Sequence, residues 1–254
     1  MPLRALFQRP APAPAALDIA FAGEIFPVRL RRHAQARRYT LRIHAATREV
    51  VLTMPMRGSV KEATAFAQKH GAWVAARLAR LPQPAPFMHG SVLPLRGVQH
   101  RIEHRPHARG SVWIECGEDG AQLLCVAGAA PHLARRLRDY LKREARRDLE
   151  RASRAMAQTL GVKVRRVSVR DQVSRWGSCS TTGVLSYSWR LILAPPFVLD
   201  YLAAHEVAHL LEMNHSARFW RLVERVYPDV RRAKTWLDTH GSDLHRYGAE
   251  AESI

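Results

Sequence analysis

Residues 203–220 read AAHEVAHLLEMNHSARFW, and no other stretch restricts the possible folds of this chain as strongly. Two imidazoles and a carboxylate stand in an otherwise apolar run, where burying them is costly unless they are paired or coordinate a metal. In a helix His205 and His209 leave the same face one turn apart, so that both rings can reach one ion. Glu206 is rotated by one residue, a poor position for a ligand but a good one for a general base beside the ion. The prolines at 195 and 196 suit a first helical turn, and Leu199, Leu202, Ala203 and Leu210 continue the apolar stripe.

A catalytic zinc usually takes three protein ligands and keeps one position open. His215 is the candidate third ligand, six positions beyond His209. That offset is also found in the metzincin pattern. Here, however, Glu212 stands at the glycine position of that pattern, and no methionine follows Met213. Another device must therefore return the chain. Asn214 tolerates the left-handed conformation that ends helices, and Ser216 can cap a new one. Glu212, Glu224 and His240 are the rival third ligands.

The 254 residues are 47% hydrophobic, which is enough for a real core. No apolar run reaches the eighteen residues of a membrane span. The first twenty residues carry arginine and are cut by prolines, which argues against a secretory signal. Three cysteines (Cys116, Cys125 and Cys179) are odd in number and lack metal-knuckle spacing, as expected of a reduced, cytoplasmic protein. The net charge of +18 admits a nucleic acid or nucleotide partner beside a peptide or protein substrate, with no membrane partner. It is equally compatible with a solvated arginine-rich surface. Oligomeric state is left open.

Residues 1–19 read as a Pro/Ala-rich disordered leader. Residues 20–254 read as one α+β domain, with a mostly antiparallel β-rich part over 20–128 and a zincin-like part over 129–245. Alternation predicts strands at 25–30, 39–43 and 49–54, and Ser59 caps one helix running toward Leu81. Pro82, Pro84 and Pro86 form a linker before further strands. A long helix covers 131–160, its nine Arg/Lys on a solvated face and Gly161 as its stop. Two strands, over VKVRRVSVR and VLSYSWRLIL, precede the histidine helix. No internal repeat is visible. His100, His104 and His107 read as surface histidines, and Cys179 as a buried structural thiol.

The segment SRWGSCSTTGVLSYSWRLILAPPFVLDYLAAHEVAHLLEMNHSARFWRLVERVYPDVRRAKTWL closely resembles the YgjP-like metal-dependent hydrolases, a bacterial group of zinc metallopeptidases. The resemblance rests on Arg175–Cys179, Trp189–Leu191, Pro195–Pro196, His205–His209 and Asn214–Trp220, with Val207 where leucine is usual. It implies a gluzincin-like fold related to WLM and SprT-type proteases, with Zn²⁺ held by His205, His209 and His215 and with Glu206 as catalytic base. It further implies that Arg175, Ser178, Tyr187 and Trp189 line the cleft. Some of those relatives are DNA-dependent, and a nucleotide pyrophosphohydrolase activity is attributed within the family. The expected function is therefore a zinc metallopeptidase. The alternatives are hydrolysis of a nucleoside triphosphate and a nucleic-acid-binding protein with a structural zinc.

Overall fold

Alternating exposed and buried side chains make Glu24–His33 a half-buried strand, β2: Phe26 and Val28 point inward, Arg29 and Arg31 outward. The computed structural model describes residues 16–44, 47–172 and 174–248. Strands β1 (Ala16–Phe21), β2, β3 (Thr40–Ile43) and β4 (Val50–Pro55) form a sheet in the order β1-β2-β4-β3. Its inner face, with Ile19, Val28, Val50, Leu52 and Met54, is covered by α1 (Val60–Lys69) and α2 (Gly71–Ala79) through Ala63, Ala67 and Val74.

Two expectations change here. Residues 1–15 lie outside the described residues, but Ala16–Ile19, assigned to a disordered leader, pair with Phe26–Arg29 as strand β1. The single helix from Ser59 is two helices, broken at His70 (φ −102°, ψ 12°). Gly71 lies so close to strand β1 that a Cβ there would sit 3.2 Å from the Phe21 side chain.

The second sheet repeats the first. Strands β5 (Val92–Leu95), β6 (Val98–Arg105), β7 (Val112–Cys116) and β8 (Gln122–Ala127) take the order β5-β6-β8-β7. In both sheets the central pair is parallel and the outer pairs are antiparallel. The pairs Ile19–Phe26 and Val28–Val50 recur as Leu93–His100 and Ile102–Leu124, each number higher by 74 (Ile19 to Leu93, Val50 to Leu124). Both first hairpins turn through two residues of positive φ, Ala22–Gly23 (51°, 85°) and Arg96–Gly97 (52°, 78°), as a type I′ turn requires. The sequence conceals this repeat because burial preserves only apolar character, and His100 even replaces Phe26 at a buried site, its Nδ1 2.8 Å from the Val98 carbonyl. His100 is thus not a surface histidine.

After a 3-10 turn, α3 (Leu133–Leu160) buries Leu133, Leu137, Leu141, Ala145 and Leu149 on one stripe and ends at Gly161 in the left-handed conformation (φ 70°). The Arg96 guanidinium donates to Asp148 and Glu144 of this helix at 2.7 and 2.8 Å. A third sheet orders β10 (Gly177–Cys179), β11 (Val184–Ser188) and β9 (Arg166–Arg170) as β10-β11-β9. The strand expected through Leu193 stops at Ser188, whose hydroxyl accepts from the Arg190 N–H and opens a 3-10 turn over Trp189–Ile192. Helices α4 (Pro196–Ala208), α5 (Ala217–Val226) and α6 (Val230–His240) follow.

The architecture is α+β. It divides into two compact units between Leu81 and Pro82, not at the expected 128/129 boundary, because the second β sheet shares its core with α3 and α4. Among the described residues no helix is long and apolar enough to cross a membrane.

Candidate metal centre

Helix α4 is apolar on every side, with Val198, Leu199, Leu202, Ala203, Ala204, Val207 and Ala208 all buried, so it runs through the interior of its unit. His205 and Glu206 lie in its last turn, and His209 is its C-cap. The chain then tightens: the N–H groups of Leu210, Leu211 and Glu212 donate to the carbonyls of Val207 and Ala208. No left-handed residue is used at Asn214. Its Oδ1 instead accepts the Ser216 N–H at 3.0 Å, and the Ser216 hydroxyl accepts the Phe219 N–H at 3.3 Å to start α5.

This corner carries His215 back to the pair on α4. The Nε2 atoms of His215 and His205 are 3.1 Å apart, and the ligand atoms of His205, His209 and His215 all lie within 4.8 Å of one another. The three rings form a near-equilateral triangle, with centroid separations of 5.0, 5.0 and 4.8 Å. Phe219, fully buried, supports the set, its ring 4.9, 4.5 and 4.8 Å from His205, His209 and His215. His209 Nδ1 is 3.0 Å from the Glu212 carbonyl, which fixes the tautomer and turns Nε2 toward the other rings. Three imidazoles with converging nitrogens match the donor set of a zinc site. The rivals are elsewhere: the Glu212 carboxylate faces Arg218 at 3.8 Å, His240 packs on Trp236, and Glu224 is outside the cluster.

Electrostatics agree with the geometry. Burial, and then the neighbouring His209, His215 and Lys234, lower the His205 pKa to about 3, and burial also lowers that of His209. Both rings are held in the neutral form that a metal requires. Burial raises Glu206 to about 8, against the pull of Arg175. The Glu206 carboxylate lies against Gly177, in the space that a Cβ there would need.

Two hollows meet at these groups. One, of about 350 Å³, is lined by Arg175, Trp176, Tyr201, Lys234 and Asp238 among others, and the other, of about 260 Å³, by Ser178, Cys179, His209, Met213 and His215. Gly177, His205 and Glu206 border both. Arg175 and Ser178 are thus brought to the cleft. Tyr187 and Trp189 are not: both are fully buried, Tyr187 with its hydroxyl 3.0 Å from that of Ser153, and Trp189 between Phe87 and the Arg190 guanidinium. Tyr187 stands on β11, the central strand of its sheet, and Trp189 in the 3-10 turn that follows it, and both are packed into the core. Cys179 is only partly buried and lines the second hollow, so it is not the buried structural thiol expected; burial raises its pKa to about 11, which keeps it protonated at neutral pH. Sequence reasoning missed Gly177 as a steric requirement, and it missed Lys234 and Asp238, which α6 supplies without any local motif.

A family model described as YgjP-like, metallopeptidase domain, matches residues 37–240. Among solved structures, that of the metallopeptidase zymogen abylysin of Pyrococcus abyssi is 27% identical, covering 39% of this chain and 97% of its own, with a TM-score of 0.34. No curated protein matches the chain.

Proposed function

Since this chain belongs to the YgjP-like metallopeptidase family, we propose that it is a zinc-dependent peptidase in which His205, His209 and His215 hold the ion and Glu206 is the general base. The convergence of three imidazoles beside a buried carboxylate carries this reading. When bound, zinc supplies Lewis acidity that acidifies water and polarises a carbonyl. Glu206 accepts the proton of the attacking water and passes it to the departing amine nitrogen.

The substrate backbone has a natural seat. Strand β10 is an edge strand, paired to β11 on one side only, and it borders both hollows. An extended peptide adding to that edge would pass in front of Glu206. Arg175 and Ser178 are the proposed substrate contacts, one in each hollow.

Arg175 and Lys234, both lining the larger hollow, favour one second reading, hydrolysis of a phosphoanhydride such as a nucleoside triphosphate. The imidazole donor set weighs against it, because such reactions more often use Mg²⁺ held by carboxylates. A purely structural zinc fits less well still, since the donors border open hollows, not a closed four-ligand cage.

Metal analysis of His215→Ala beside the wild type is the direct test, with most of the zinc expected to be lost. Glu206→Gln is expected to retain zinc and lose about 10²–10⁴-fold in turnover. Casein and nucleoside triphosphates, assayed with and without chelator, separate the two chemistries. Undiminished zinc in His215→Ala, or full activity in Glu206→Gln, overturns the assignment.

A further inference from the structure

The outer face of the first sheet holds a concentration of positive charge for which the metal centre has no use. Across strands β2, β4 and β3, Arg31, Thr53 and Thr40 stand in register, with Arg42 two residues along. The β2–β3 loop adds Arg37 and Arg38. Together they line an open groove of about 760 Å³ that contains no carboxylate. Arg31, Arg37, Arg38 and Arg42 are all exposed, and among the described residues none of their guanidinium groups has a hydrogen-bond or ion-pair partner.

Their neighbours show what an arginine of this chain does when its role is structural. Arg29 pairs with Glu49, and Arg32 donates to the carbonyls of Met56 and Gly58 at 2.7 and 2.9 Å. On α3, Arg136 and Arg138 donate to the carbonyls of Ala127 and Gly248. The repeat supplies a closer comparison. Arg105 holds in the second sheet the position of Arg31 in the first, since their partners Ala127 and Thr53 are likewise 74 apart (Thr53 to Ala127). There it is neutralised by Glu115, while its neighbour Arg101 is paired with Asp119 at 3.1 Å. One framework thus carries a balanced outer face in one copy and an uncompensated one in the other. Leaving four guanidinium groups close together costs self-repulsion, which an anionic occupant would relieve.

We propose that this groove binds the phosphate backbone of duplex DNA. Guanidinium groups pair with phosphate through parallel hydrogen bonds, and several in one channel match a repeating polyanion. No phenylalanine, tyrosine or tryptophan lines the groove, so it lacks the stacking platforms used for single strands. Contacts confined to phosphates bind without regard to sequence. The inference rests on the first unit alone and not on the metal reading.

Fluorescence anisotropy of the full chain with a labelled mixed-sequence DNA duplex tests it. Four phosphate contacts predict a log–log salt slope steeper than that of the variant by about 3 to 4. Replacing Arg31, Arg37, Arg38 and Arg42 together by alanine is expected to weaken binding at least about tenfold and to remove that difference in slope. Arg37→Glu with Arg38→Glu, confined to the loop, provides a second variant should the fourfold one fold poorly. Lys142→Ala with Arg154→Ala, on α3, is the control and should bind like the wild type. Inorganic triphosphate, poly-glutamate and phosphatidylserine vesicles serve as competitors. No binding at low salt, unchanged affinity in the groove variants, or tighter binding of any competitor than of the duplex would each overturn the proposal.

Discussion

Gly177 matters for what it lacks, because the Glu206 carboxylate occupies the space that a Cβ would need. The contact is steric and not conformational, since Gly177 is not among the glycines of positive φ. Gly177→Ala is therefore expected to displace the carboxylate and lower kcat by about 10²-fold while zinc content is unchanged, as a misplaced catalytic group typically does. Parallel metal analysis and steady-state kinetics check this. Glu206 also makes a prediction for the metal-free protein. Its carboxyl titrates at about 8 in the fold against an ordinary 4.5, so the native state holds a proton that the unfolded chain releases. The resulting stability is full below about pH 4.5 and is lost as the pH rises through 8. Glu206→Gln cannot ionise, and in excess chelator it should melt above the wild type at pH 9 and lose that advantage at pH 5. At this scale the sequence was informative where chemistry is tied to spacing: His205, Glu206 and His209 follow from one turn of helix. Gly177 gave no such signal, because its partner lies on another element.

The turn between α4 and α5 places the third imidazole. Ser216 caps α5, and Asn214 closes the loop ahead of it, so the His215 backbone is held from both sides. Ser216→Ala is expected to cost about 1 kcal/mol of stability. It should also weaken zinc binding by about tenfold, as loss of an orienting contact does. Thermal melts and competition with a chromophoric chelator measure the two effects separately. Elements with strong local signals were legible: the stripe and glycine stop of α3, the proline start of α4, the serine cap of α5. Short elements were not. Strand β10 has three residues, Gly177–Cys179, and exists because β11 pairs with it. Tyr187 and Trp189 look like cleft residues beside the histidine helix, yet the central strand that carries Tyr187 and the 3-10 turn that opens at Trp189 both pack into the core.

Each of the two units has its own core, the first built around Ile19, Val28 and Leu52, the second around Leu124, Leu141 and Val207. The candidate metal centre, both hollows and α3–α6 all fall within the second. A fragment of residues 82–254 is expected to fold cooperatively and to bind zinc stoichiometrically, which circular dichroism melts and metal analysis would register. Loss of folding in that fragment would show that the first unit is required for stability.

Sequence by itself determined the candidate donor types, the helix that presents two of them, the serine cap beside the third, and the mixed α+β character. All of these follow from interactions within a few residues, where periodicity and turn chemistry are written directly in the chain. Tertiary structure decided that His215 and not Glu212, Glu224 or His240 joins the pair, that Gly177 abuts Glu206, and that one sheet topology occurs twice. It also decided which arginines are paired. Each of those outcomes depends on contacts between residues far apart in the chain, and burial asks of such positions only size and polarity, which many sequences satisfy.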